Sequence, residues 1–122
     1  MNTTTAKANQ LEKRFIKFAS SILMLSGKLP QTAQGKHVCA QILRSGTATA
    51  ANYGEARGAE SRADFIHKLK IVSKELNETT IWLEMIAECS LVSENLAPIV
   101  AENRELCRII SASIKTVRAG ID

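Results

Sequence analysis

The segment Arg44 to Leu83, RSGTATAANYGEARGAESRADFIHKLKIVSKELNETTIWL, decides the fold. In its second half Phe65, Leu69, Val72, Leu76, Thr79 and Leu83, continued by Ile86, alternate at spacings of four and three. This heptad seam predicts a long helix packed as in a left-handed bundle. In its first half Gly46, Ala50, Gly54 and Gly58 recur at every fourth position, a nearly bare ridge along a second helix. A glycine inside a helix costs about 1 kcal/mol relative to alanine, so the ridge predicts close approach of another backbone, in the same chain or in another subunit. Between the halves, GAES supplies Gly58 as a stop and Ser61 as an N-cap, with Asp64 in the capping-box position. The segment therefore reads as an antiparallel helical hairpin.

Beside the apolar seam runs a mixed stripe of Asp64, Lys68, Ile71, Glu75, Glu78, Trp82 and Met85. In a straight hairpin turning at Ala59 and Glu60, residues at equal height have numbers that add to about 119. Arg44 and Glu75 satisfy this condition, so Arg44 is expected to pair with Glu75 or Glu78, and Glu55 to lie within a turn of Lys68. With Asn52 and Asp64 these residues form a candidate polar network. One reading is a set of pins that fix the register of the two helices; the other is a polar groove facing a ligand. The alternation of these residues with packed apolar positions favours the pins.

Working outward, Leu11, Phe15, Phe18, Ile22 and Leu25 mark one face of a first helix over residues 9–26, with Lys13, Arg14 and Lys17 off that face. Thr32 caps a second helix over 33–57. The third spans 62–89. A fourth over 96–119 carries Leu96, Ile99, Asn103, Leu106, Ile110, Ser113 and Val117, with Pro98 in its first turn. The expected architecture is all-α, an antiparallel up-and-down four-helix bundle forming one domain over residues 1–122.

Composition agrees: of 122 residues 45% are apolar, 23% charged and only 4% aromatic, with two prolines. No apolar run approaches the ~20 residues that cross a bilayer, and MNTTTAKANQ lacks the apolar core of a signal peptide. The expectation is a cytoplasmic protein without a membrane partner. Cys39, Cys89 and Cys107 form no C-x-x-C pair and are expected to be buried, reduced thiols. A di-iron bundle needs two carboxylate-x-x-His pairs. Asp64 and His67 give one, but His37 follows Gln34, so no metal or other cofactor is expected. His37 and Cys39 are two apart on a helix and cannot act together as base and nucleophile. No phosphate-binding glycine loop or serine elbow is present. An enzyme is the function class least supported.

Charge is unevenly distributed within the net +4. Residues 1–54 hold seven Lys/Arg against Glu12 alone, whereas residues 55–122 hold nine against eleven acids. In an up-and-down bundle one end would collect Lys7, Lys13, Arg14, Arg57, Arg62, Lys68, Lys115 and Arg118 against Glu12, Glu55, Glu60, Asp64 and Asp122. The other end would hold Lys28 and Lys36 against Glu84, Glu88, Glu94 and Glu102. The first end, with Lys17, is the candidate nucleic-acid-binding rim. Tyr53 and Trp82 lie in the packed hairpin, so stacking of single-stranded bases is not expected.

The central hairpin resembles the bacterial four-helix-bundle family of proteins encoded by intervening sequences in large-subunit ribosomal RNA genes, members of which are sometimes labelled a ribosomal protein. The matching features are Arg44-Ser45, Ala51-Asn52-Tyr53, Glu55-Ala56, Ser61, Asp64-Phe65, Lys68-Leu69, Lys74-Glu75, Glu78 and Trp82-Leu83; the outer helices match in length and pattern. More distantly the chain is similar to the accessory variability protein of diversity-generating retroelements, which shares the bundle and binds a reverse transcriptase and nucleic acid. The resemblance implies a ring-shaped homo-oligomer, a pentamer, and no catalytic residues. The functional expectation is a non-enzymatic homo-oligomeric scaffold that binds RNA or DNA in a salt-dependent, sequence-tolerant way. The alternative is a protein–protein adaptor for a nucleic-acid enzyme such as a reverse transcriptase.

Overall fold

The computed structural model describes residues 3–120, which fold into α1 (Thr3–Ser26), α2 (Ala33–Arg57), α3 (Arg62–Glu88) and α4 (Ala97–Arg118). No strand occurs among the described residues. The boundaries of α2, α3 and α4 fall within one residue of the periodic expectation, but α1 begins six residues before Asn9. Those residues are polar or small, so they extend the helix without contributing to the apolar stripe that would reveal it.

Local chemistry sets the helix ends. The Gly35 amide donates to the Thr32 hydroxyl and the Asp64 amide to the Ser61 hydroxyl, each at 3.0 Å. The Asp64 carboxylate accepts from the Glu60 amide at 3.4 Å, so the capping box is shifted by one residue from its usual partner. Gly58 stands at φ −95°, so α2 ends without a left-handed residue. At the end of α3 the left-handed residue is Ser90, at φ 50°. The Ser90 amide donates to the Ala87 carbonyl and the Leu91 amide to that of Ile86, the bond pattern of a Schellman cap.

The core takes Phe15, Phe18 and Ile22 from α1, Ile42 and Tyr53 from α2, the whole Leu69-to-Ile86 seam from α3, and Leu106 and Ile110 from α4. Consecutive helices pack side by side, most extensively α2 on α3, while α1 and α4 close the ring with the sparsest contact. Cross-helix partners run in opposite chain directions. Between α1 and α2, Glu12 meets Arg57 and Ile22 meets Gly46; between α3 and α4, Asn77 meets Cys107 and Glu84 meets Arg104.

Within one chain the small-residue ridge of α2 is not one continuous contact. A Cβ on Gly46 would stand 2.6 Å from Cγ2 of Ile22, a side chain and not a neighbouring backbone; a Cβ on Gly54 would meet nothing within 4 Å. Gly46→Ala must displace a fully buried isoleucine and is expected to lower stability by about 1 kcal/mol. Gly54→Ala gains helix propensity without a clash and is expected to raise it by up to about 1 kcal/mol. Urea unfolding of the two variants reads both signs, and a common sign would refute this division of the ridge.

The cysteines also depart from expectation. All three are free, but Cys39 and Cys107 are only half-buried, and Cys89 is exposed because it sits at the cap of α3. Burial pushes the Cys107 thiol up from its ordinary pKa.

Candidate nucleic-acid interface

Two arrangements of charge emerge from the bundle, one that ties helices together and one that leaves cations in solvent. The tie is centred on Arg44 of α2. Its Nη1 lies 3.0 Å from Oε2 of Glu75, and its Nη2 contacts Oε2 of Glu78, both carboxylates on α3. Trp82 Nε1 donates to the same Glu78 oxygen at 3.2 Å, and the Trp82 ring meets His37 edge to face with centroids 5.8 Å apart. Lys68 Nζ lies 3.6 Å from Glu55 at the other end of the hairpin. Asn52 and Asp64 do not bridge these helices. Asn52 donates to the Ala48 carbonyl of its own helix, and Asp64 stays in the α3 cap.

Beneath the surface tie lies a buried partner that periodicity did not reveal. The hydroxyls of Ser45 and Thr79 are 3.0 Å apart, and both residues are fully buried. Thr79 interrupts an otherwise aliphatic seam, and that interruption was the available signal. A second, part-buried polar contact joins α3 to α4, where Thr80 donates to Oδ1 of the buried Asn103 at 2.7 Å. The Asn103 Nδ2 has no hydrogen-bond partner among the described residues.

The hydrogen bond from Arg44, aided by the one from Trp82, holds the Glu78 carboxyl below the usual carboxylate range. Arg44→Ala is expected to return its titration upward toward that range, a shift readable by NMR. The sign for stability follows: a depressed carboxylate pKa contributes above the unfolded value and is lost as pH falls through the folded one. The variant should therefore show a smaller loss of stability on acidification than the parent.

The candidate rim divides in two. Arg14 is not at the end of the bundle; because α1 starts at Thr3, it falls near mid-helix and grips Glu102 of α4 through two hydrogen bonds of 2.6 and 3.1 Å. Arg14 and Glu102, assigned from sequence to opposite ends, are thus direct partners. Arg57 lies 3.4 Å from Glu12, and Lys68 is held by Glu55. Lys13 and Lys17 are exposed on α1 near mid-length, and Lys7, Arg62, Lys115 and Arg118 lie toward the end where α1 starts and α4 finishes. None of these six is ion-paired with a described residue. Asp122, counted with this end, lies outside the described residues.

The sparse α1/α4 seam opens as a groove divided by the Arg14–Glu102 pair. Toward the cationic end, clefts of about 680 and 390 Å3 share Thr4, Lys7, Phe65, Ile109 and Ser113 in their walls. Toward the other end, clefts of about 400 and 460 Å3 run along Lys17, Ser21, Pro98 and Ile99. No cluster of three or more histidines, cysteines or acids suited to a metal ion occurs among the described residues, and no helix there is long and apolar enough to cross a membrane.

A four-helix bundle with charge-pinned central helices and unpaired cations along α1 and toward one end is a small helical module with its charged groups on the surface. The chain belongs to the 23S rRNA-intervening sequence protein family, which it matches over residues 7–112. It is similar to the crystal structure of a protein of unknown function from the S23 ribosomal protein family of Bacteroides thetaiotaomicron VPI-5482, at 38% identity and a TM-score of 0.82. That likeness covers 90% of this chain and 99% of the other. No curated protein matches the chain. The two family names refer to an intervening sequence of 23S rRNA and to a ribosomal protein, and the similar structure is of a protein of unknown function.

Proposed function

We propose that the protein is a non-enzymatic, homo-oligomeric helical scaffold that binds RNA or DNA through its free cations, with little dependence on base sequence. The observation that carries this reading is the contrast between paired and unpaired charge. Arg14, Arg44, Arg57 and Lys68 are engaged by carboxylates of neighbouring helices, whereas Lys7, Lys13, Lys17, Arg62, Lys115 and Arg118 make no ion pair among the described residues. The family's ribosomal RNA context supports an RNA partner.

Assembly is supported by the distribution of exposed apolar side chains. Ile16, Leu23 and Met24 on α1 and Ile81 and Met85 on α3 are each about half or more exposed, and α1 and α3 are not adjacent in the ring of helices. Two unlike patches on separate helices suit a head-to-tail contact, which closes into a ring when the rotation allows it. A ring of five copies would repeat the end cations around one rim and Lys13 and Lys17 along its side, and multivalent phosphate contacts would then raise a weak affinity.

The test is affinity for labelled RNA and DNA across a salt series. The logarithm of the binding constant is expected to fall linearly with the logarithm of salt, and Lys13→Glu/Lys17→Glu should reduce the slope by about two for each engaged copy. Binding that ignores salt, or an unchanged slope in the double variant, would sink the proposal. Light scattering at low salt reads the assembly separately, the expected mass being that of five chains.

A further inference from the structure

The apolar floor of the groove near the cationic end has no role in phosphate binding. Leu11 on α1, Phe65 on α3 and Ile109 and Val117 on α4 are all half-buried and line the clefts there. Phosphates would take the surrounding cations and leave this floor in water. The charged groups lining the two clefts are Lys7, Arg14 and Arg108, with no acid among them. Arg14 and Arg108 are directed to Glu102 and Glu105 on α4, while Lys7, and Lys115 in an adjoining cleft that shares Arg108 and Ala112, have no ion pair among the described residues. From Thr4 to Arg14 the trough runs about 15 Å at 1.5 Å per residue, the length of roughly three helical turns.

We propose that this half of the α1/α4 groove docks an acidic amphipathic helix of a partner protein. Its apolar ridge lies on Leu11, Phe65, Ile109 and Val117, and its carboxylates face Lys7 and Lys115. The geometry is that of a helix laid into a groove between two others, with apolar anchors at i, i+3 or i+4, and i+7. Among the neighbouring helices α1 and α4 have the least mutual contact, so a third helix can enter there without breaking a packed interface. The carboxylates select the partner: a basic helix of the same apolar pattern would meet like charge along both walls. This inference shares Lys7 and Lys115 with the nucleic-acid reading, but its apolar floor is separate from that reading, which rests also on Lys13, Lys17, Arg62 and Arg118.

Two synthetic helices of fifteen residues test it, with leucine at positions 1, 4, 8 and 11 and with either glutamate or lysine flanking them. Titration of the full chain by fluorescence anisotropy is expected to give at least tenfold tighter binding of the glutamate peptide. Ile109→Glu should weaken it at least tenfold. Lys7→Glu/Lys115→Glu, which leaves the floor intact and guards against a folding defect in the first variant, should reverse the peptide preference; Lys70→Glu on the far side of α3 should change nothing. Equal binding of the two peptides, or none, would overturn the proposal. So would a drop in light-scattering mass caused by Ile109→Glu, which assigns the groove to a second copy, or loss of RNA binding in that variant, which assigns it to nucleic acid.

Discussion

Gly35→Ala is expected to cost about 3 kcal/mol or more of stability, the upper range of overpacking substitutions. Gly35 is buried in the first turn of α2, against the connection from α1. A Cβ there would fall 1.9 Å from the carbonyl oxygen of Pro30 and 2.8 Å from its carbonyl carbon. Backbone atoms cannot rotate away as a side chain can, so the connection and the start of α2 must separate. The same turn holds the amide that donates to Thr32, so the N-cap would be strained with it. Thermal unfolding should show a midpoint lowered by about 10 °C or more, at roughly 3–5 °C per kcal/mol for a chain of this size. A midpoint within a degree or two of the parent would show that the turn is soft and the close approach incidental.

Phe15→Ala is expected to cost about 3–5 kcal/mol, the range for a phenylalanine removed from a packed core. Phe15 is fully buried on α1 and stacks on Tyr53 of α2, with centroids 4.9 Å apart and planes 22° apart. Truncation removes that aromatic contact and opens a cavity between the two helices. Urea unfolding measures the cost, and a loss below about 1 kcal/mol would mean that the helices collapse to fill the space. The tyrosine supplies a second readout. Burial pushes the Tyr53 phenol up from its ordinary value, so the unfolded chain ionises first as pH rises. Its contribution is therefore full below the ordinary tyrosine pKa and is lost as pH rises through the raised one. Tyr53→Phe should lose less stability in alkali than the parent, and Phe15→Ala, by wetting the ring, should bring the phenol back toward its ordinary titration.

The hairpin was legible because its information is periodic and local. The α3 seam from Phe65 to Ile86 alternates by four and three, and a helix reading it can bury only one face. Equal-height counting is enough to bring Arg44 near Glu75 and Glu55 near Lys68, since both helices are continuous over that length and share one short turn. The start of α1 was not legible, because Thr3–Ala8 carries no apolar stripe. That single omission misplaced Arg14 at the end of the bundle and hid its pairing with Glu102, 88 positions away in sequence.

By itself the sequence determined four helices, their order, which residues face the core and the surplus of cations in the first half, all consequences of spacing and composition along one chain. Only the tertiary structure decided which cations are free, because an ion pair depends on the height and rotation of a neighbouring helix. It alone showed that within the chain Gly35, and not the ridge from Gly46 to Gly58, meets the backbone of another segment closely. It also left the α1/α4 seam open as a groove, since that edge joins the first helix to the last and no short connection draws the two together.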